Sequence, residues 1–207
     1  MYDVIIPCRN EEKTIGPIVR TFRFHPLINQ IIVVRDDATT DNTADIAMGK
    51  GVIVVYGVTG KGQNVKRGLD YVQTERVILC DGDLQQFTHS HIDTLTRGLS
   101  SFVIGVPDFP LMQVLRSPKM TMEWMPRVFE TFPWVSGERV VITKLVREID
   151  LHGYLMEVQI NQAYKDIGIS PDFRFLSGAH SPFKMDDKRM QEMERDRQWG
   201  VDNEVFG

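Results

Sequence analysis

A chain of 207 residues is long enough for one sizeable core and short for two, so a single domain is the default expectation. With 42% hydrophobic and 25% charged residues it is not composed like a disordered chain, and a net charge of −4 without a block of lysines and arginines argues against a general nucleic-acid binder. No run approaches the roughly 18 apolar residues of a membrane-spanning helix, and the opening MYDVIIPCRN lacks the basic start and length of a signal peptide, so a reducing, cytoplasmic setting without a transmembrane segment is expected.

Taken in chain order, the first half alternates apolar strands, polar turns and helices. Val4 to Ile6 reads as a first strand, and Asn10 followed by Glu11 and Glu12 reads as a helix N-cap with acids in the first turn. Ile31 to Val34 is a second strand, followed by the acidic turn from Arg35 to Thr40 and a helix capped near Asp41. Val52 to Tyr56 is a third, and Gly57 to Gly62 form a glycine-rich loop into a helix from about Gln63 to Val72. Val77 to Cys80 is the fourth. These runs are continuously β-branched and do not alternate, which predicts strands covered on both faces, as in a parallel sheet with helices on each side. The fold class expected is α/β. Cys8 and Cys80 each sit near the end of such a run, where a free thiol behaves as a small core residue.

The second half is less regular. A helix near Ser90 to Leu99 and a strand from Phe102 to Gly105 continue the rhythm, and then Pro107, Pro110, Pro118, Pro126 and Pro133 interrupt it. The Met-rich segment from Leu111 to Phe132 reads as two short amphipathic helices, either core packing or a movable flap over a site. Tyr154 to Ile167 has helical apolar spacing, Phe173 to Leu176 reads as a final strand, and the charged tail from Asp186 to Trp199 reads as a helix with a solvated face.

The chemistry gathers at one end of the expected sheet. In an open α/β sheet, ligands bind beyond the carboxyl ends of the strands. Those ends carry Pro7, Arg9, Asn10 and Glu11 after the first strand, Asp36 and Asp37 after the second, Gly60, Lys61 and Gly62 after the third, and Asp81 and Asp83 after the fourth. The loop GVTGKG is not a Walker phosphate loop, since it has two residues in place of four before Gly60 and no Ser or Thr after Lys61. G-x-G-x-x-G is absent from the first turn, which argues against a dinucleotide-binding enzyme. Asp81-Gly82-Asp83 is more specific: two carboxylates flanking a glycine suit Mg²⁺ or Mn²⁺ with positions left open for diphosphate oxygens, and the glycine would let a ligand approach the backbone. A turn with a helix cap is the plainer alternative.

The segments VIIPCRNEEKTI, VVRDDATTDNTADIA, GKGQNVKRGLDYV and VILCDGDLQ resemble, in order and spacing, the four signature segments of family 2 glycosyltransferases of the GT-A fold, with the D-x-D-L-Q form of dolichyl-phosphate-mannose-synthase-like members. Ser136 to Arg139, SGER, resembles the family's SGxR stretch on the acceptor side. Gly153, Tyr154 and Glu157 match the GYGVE segment of glucosyl-phosphoglycerate-synthase-like members, which Leu155 and Met156 depart from. The resemblance implies a single GT-A domain over 1–207, with 1–100 as the nucleotide-sugar half and 101–207 as the acceptor-side half. It implies that Pro7, Arg9 and Glu11 line the nucleoside pocket, that Asp37 contacts the base, that Lys61, Arg139 and Gly82 lie by the donor, and that Asp81 touches the ribose or the metal. It further implies Asp83, Gln85 and the late His180 as ligands of Mn²⁺ or Mg²⁺, and Glu157 as the base for an acceptor hydroxyl. A retaining reaction, or an acceptor that is already an ionised phosphate, would need no base.

The expected partner is a UDP- or GDP-sugar. The acceptor stays open among a small phosphorylated metabolite, a lipid phosphate, a protein side chain and a modified DNA base, and a homo-oligomer is compatible with everything read. A glycosidase is disfavoured, because its two carboxylates stand roughly 5 to 9 Å apart across the bond, whereas Asp81 and Asp83 share one short turn. A nucleotidyltransferase of related fold and a non-catalytic sugar-nucleotide-binding protein are the alternatives.

Overall fold

The computed structural model describes residues 1–108, 134, 136–182 and 187–202. The segment from Leu111 to Phe132, read above as a pair of helices or a flap, lies outside the described residues. In chain order the elements are β1 (Tyr2–Cys8), α1 (Ile15–Arg23), β2 (Ile28–Arg35), α2 (Thr43–Ala47), β3 (Val52–Tyr56), α3 (Lys61–Leu69), β4 (Arg76–Leu79), α4 (His89–Thr96), β5 (Val103–Pro107), β6 (Arg139–Ile142), α5 (Thr143–Glu148), a 3₁₀ turn (Gly153–Leu155), α6 (Met156–Asp166), β7 (Asp172–Leu176) and α7 (Asp187–Asp202). Among the described residues no helix is long and apolar enough to cross a membrane.

The strands form one sheet in the order β3-β2-β1-β4-β6-β5-β7. Neighbours pair in parallel except around β6, which runs antiparallel to both β4 and β5. The continuous apolar runs divide by the pleat. Val4, Ile6 and Cys8 of β1, with Ile31, Val33 and Ile78, face a core completed by Ile15, Ile18 and Phe22 of α1 and Ile92 and Leu95 of α4. Ile5, Ile32, Val34, Val77 and Leu79 face the opposite core, against Val65 and Leu69 of α3, Val146 of α5 and Ile160 and Tyr164 of α6. Both faces being covered explains why the strands lack alternation. Cys8 and Cys80 are both free and buried, and burial pushes the Cys8 thiol up to about 12.

Two expectations need correction. The first helix does not begin at Asn10. Asn10 adopts a left-handed backbone (φ 58°), and the N–H groups of Glu11 and Glu12 are taken by Thr43 Oγ1 (2.7 Å) and Asp41 Oδ2 (3.1 Å), so helical bonding starts only at Ile15. The strand β6 was not foreseen: its apolar run is three residues, Val140 to Ile142, too short to stand out. It matters because antiparallel entry places its first residue opposite the last of β4, with Arg139 paired to Leu79. The residues before β6 therefore reach the same rim as the carboxyl end of β4.

Gly62, in the first turn of α3, is where the sheet's helical layer meets the later half of the chain. A Cβ there would lie 2.8 to 2.9 Å from backbone atoms of Leu151 and His152. Gly62→Ala should therefore cost about 1–3 kcal/mol from overpacking, although alanine is the better helix former. Urea unfolding measures it, and a variant at least as stable as the native chain would show that this contact does not form.

Candidate functional site

The strand order reverses between β1 and β4, since the chain moves outward through β2 and β3 and then returns to the other side of β1. At such a switch point the loops leaving neighbouring strands diverge and open a crevice. The loops after β1, β3 and β4 and the lead-in to β6 meet there, and one side chain ties them together. Lys61 Nζ lies 2.6 Å from Asp81 Oδ1 and 2.7 Å from Glu157 Oε1, joining the start of α3 to the end of β4 and the first turn of α6. Burial alone would push the Lys61 ammonium down, but the charges of Asp81 and Glu157 and their hydrogen bonds outweigh it and hold it above the ordinary lysine value. Glu157 is buried and Asp81 partly open.

The approach of these groups depends on small residues. Gly62 lets α3 touch residues 151 and 152, and a Cβ on Gly137 would stand 2.4 to 2.5 Å from the Asp81 carboxylate, so the lead-in to β6 can cross directly against it. The missing side chain of Gly82 also makes room for protein: a Cβ would meet Cys8 Cβ at 3.0 Å and Glu11 Cγ at 3.4 Å, because the ends of β1 and β4 converge, and Thr14 Oγ1 donates to its carbonyl.

Behind the rim lies a polar layer that the sequence reading left unassigned apart from Arg139. Arg139 is fully buried, donating to the Ser136 carbonyl (2.8 Å), Asn161 Oδ1 (2.7 Å) and the Trp134 carbonyl (2.5 Å), with Phe102 under its guanidinium. Burial pulls it down to about 10 against the opposing pull of Glu157, Glu138 and Asp81. Glu138 is buried beside it, and burial, reinforced by Asp81, pushes it up to about 8. Ser136 Oγ is 2.6 Å from the Gly105 carbonyl and 2.8 Å from Glu138 Oε2. A hydroxyl has one hydrogen for these two acceptors, so a proton on Glu138 completes the chain from Glu138 to Ser136 to Gly105.

The remaining expected residues fall in two groups. Around the first two strands, Pro7 is half-buried, Glu11 is buried with its carboxylate 3.2 Å from Thr14 Oγ1, and Asp37 is exposed and accepts from Thr59 Oγ1 (2.5 Å). Its neighbour Asp36, named only as part of the acidic turn, organises the glycine loop: it accepts from the N–H groups of Ala38 and Gly60 and from Asn64 Nδ2. On the other side of β4, Gln85 and His180 exchange two backbone hydrogen bonds, 2.8 and 3.1 Å, which brings His180 alongside the Asp81 to Gln85 segment from far along the chain. Gln85 is exposed and His180 half-buried, and Asp83 is buried. Among the described residues no three His, Cys, Asp or Glu side chains converge as a preformed metal cage.

The tail helix is not merely a solvated face. Arg9 forms a two-pronged pair with Glu192 of α7, NH1 to Oε1 at 3.1 Å and NH2 to Oε2 at 2.7 Å. Gln63 was also missed: its Oε1 accepts from the Gly153 N–H and its Nε2 meets His152 Nδ1, pinning the turn that leads into Glu157. Its place in the first turn of α3, beside Lys61, was the available signal.

Residues 3–139 match the family model for glycosyl transferase family 2. Among curated proteins, the chain is 36% identical over 81 residues to Protein RfbJ of Shigella flexneri, covering 39% of this chain and 62% of that one. It is 32% identical over 103 residues to 4,4'-diaponeurosporenoate glycosyltransferase of Staphylococcus aureus, covering 44% of this chain and 26% of that protein, so it spans only part of either relative. Among solved structures it is similar to glucosyl-3-phosphoglycerate synthase of Mycobacterium tuberculosis in complex with Mn²⁺, UDP and glucosyl-3-phosphoglycerate, with a TM-score of 0.74 and 20% identity over 94% of this chain and 76% of that one. The same enzyme with Mg²⁺ and UDP gives 0.74 and 20% over 94% and 75%. At this identity the likeness is one of fold, the GT-A-like α/β sheet.

Removing the central cation tests the triad. Lys61→Met should lower stability near neutral pH by about 2–3 kcal/mol, somewhat under the usual cost of stranding a buried charge because Asp81 keeps contact with solvent. Since the folded ammonium is held above its ordinary value of 10.5, the stabilisation is complete below that pH and is lost only as pH rises through the folded value. The gap between native and variant stability, from urea unfolding over a pH series, should thus stay constant up to about pH 10 and shrink above it.

Proposed function

The chain belongs to glycosyl transferase family 2, and from that premise we propose that it is a metal-dependent transferase moving a sugar from a UDP- or GDP-sugar to an acceptor hydroxyl or phosphate. The observation that carries this reading is the ammonium of Lys61 held between Asp81 and Glu157 at the strand switch point. Such a cation is available to an incoming diphosphate. Both halves of the chain, 1–100 on the donor side and 101–207 on the acceptor side, serve one domain in this reading.

The donor's nucleoside would lie along Pro7, Arg9, Glu11 and Asp37, with Asp81 and Gly82 beneath the ribose and diphosphate and Arg139 supporting them from the buried layer. Asp83, Gln85 and His180 would hold a divalent cation. The fit is chemical: the backbone bridge pairs Gln85 with His180, Asp83 lies two residues before Gln85, and a carboxylate, an amide and an imidazole suit Mn²⁺ or Mg²⁺, which need few protein ligands when diphosphate oxygens and water complete the shell. Once bound, the ion supplies charge neutralisation to the departing diphosphate. The structural relatives crystallised with Mn²⁺ or Mg²⁺ and UDP support the same choice.

The chain's own groups then divide the work. Lys61 swings toward the developing negative charge and stabilises it. Glu157, released from its ion pair as it does so, accepts the proton of an acceptor hydroxyl. Protonated Glu138 behind Asp81 adds no further negative charge where a diphosphate must bind.

Calorimetry with UDP and GDP, with and without Mn²⁺, tests the donor site. Binding should require the metal, and Asp83→Asn should weaken the metal-dependent part by about tenfold to a hundredfold or more. If no nucleoside diphosphate binds, or the metal dependence survives in Asp83→Asn, the reading fails. Glu157→Gln should lower kcat by about 10²–10⁴ with the donor KM little changed when a hydroxyl is the acceptor. Mass spectrometry of products from an acceptor panel, including phosphorylated metabolites, polyprenyl phosphates and modified DNA, identifies that acceptor.

A further inference from the structure

The helix α7 meets the rim through one side. Glu192, Asp196 and Trp199 are spaced four and three residues apart and so share a face. Glu192 holds both guanidinium nitrogens of Arg9. Asp196 Oδ2 accepts from the Tyr154 N–H at 2.8 Å, and its Oδ1 lies 3.4 Å from His152 Nε2. Trp199 stacks flat on the His152 ring, 4.0 Å between centroids and 8° between planes. Gln191, Met193, Glu194, Arg195 and Gln198 are exposed.

Among the described side chains, these contacts fall on two rim segments: the residue after β1 and the turn into α6. A charge pair such as Glu192 with Arg9 can be exchanged for another anion. Glu192 fills the end-on edge of the Arg9 guanidinium, formed by its NH1 and NH2 groups, so another oxyanion reaches that edge only by displacing it.

We propose that α7 is an internal anionic strap: its Glu192 carboxylate occupies Arg9 in the free protein, and the donor, whose nucleotide the reading above lays along Arg9, must displace it to bind. This rests on the donor reading, because it requires the nucleotide to claim Arg9. Binding of donor and docking of α7 are then mutually exclusive at Arg9, so the free enzyme is self-restrained and anything that draws α7 away raises donor affinity. His152 and the Tyr154 N–H become open to a second anionic or aromatic group once Asp196 and Trp199 leave with the helix.

The full chain with Mn²⁺ and UDP, and in parallel GDP, provides the test by calorimetry and hydrogen–deuterium exchange. Glu192→Gln keeps the size of the side chain and removes its charge, and it should lower the Kd for the nucleoside diphosphate by about tenfold, the worth of a charge-assisted hydrogen bond. Trp199→Ala, remote from Arg9, should lower it in the same direction. Nucleotide should make the α7 amides of the native chain exchange faster while the β1 amides slow. An unchanged or raised Kd in Glu192→Gln, or α7 amides that gain protection as the nucleotide binds, overturns the strap while leaving the donor site intact. Absence of nucleotide binding in the native chain and both variants, with native circular dichroism, overturns the donor reading and the strap together.

Discussion

A single ammonium between two carboxylates governs how the rest of this structure is arranged. Lys61 is the first residue of α3, Asp81 follows β4, and Glu157 stands in the first turn of α6. Each of these positions is fixed by something else: α3 by its apolar face under the sheet, β4 by its central pairing, α6 by Ile160 and Tyr164 in the core. The cation is where the three placements must agree to within a hydrogen bond. The close approaches at Gly62 and Gly137 follow from that demand, since any side chain there would push two of the three groups apart.

The sheet supplies the geometry by breaking its own rule once. Parallel strands deliver their carboxyl ends to one rim, which accounts for the groups after β1, β2, β3 and β4. The antiparallel β6 adds residues that come before a strand, so Ser136, Gly137 and Glu138 arrive at the rim from the opposite chain direction. That arrangement puts a buried polar layer directly behind the exposed charges. Burial raises Glu138 and lowers Arg139, two shifts in the direction that favours the neutral form of each buried group.

Much of this was legible in the sequence where the signal was local. Continuous runs such as Ile31 to Val34 and Val52 to Tyr56 announced strands buried on both faces, and the acids and glycines after them marked the rim. Signals that depend on distant partners were not readable. Asn10 looks like a helix cap, yet Asp41 and Thr43 take the neighbouring N–H groups and delay the helix to Ile15. Three apolar residues at β6 gain strand geometry only from β4 and β5 on either side. The charge of Glu192 looked like solvation because nothing near it in the chain reveals Arg9. Glu157 was picked out by resemblance alone, and its partner Lys61 was named separately. Their pairing is a property of the fold.

The distances along the chain between these partners have a consequence for how the molecule comes into being. Lys61 and Glu157 are 96 residues apart, and Arg9 and Glu192 are 183 apart. The β1-α1-β2 and β2-α2-β3 units pair strands that follow one another in the chain, whereas contacts this long close only after much of the chain has been ordered. On a ribosome Lys61 and Asp81 emerge close together, whereas Glu157 and Glu192 arrive late. The two joints that tie the later half of the chain to the rim, Lys61 with Glu157 and Arg9 with Glu192, therefore close on strands that are already made.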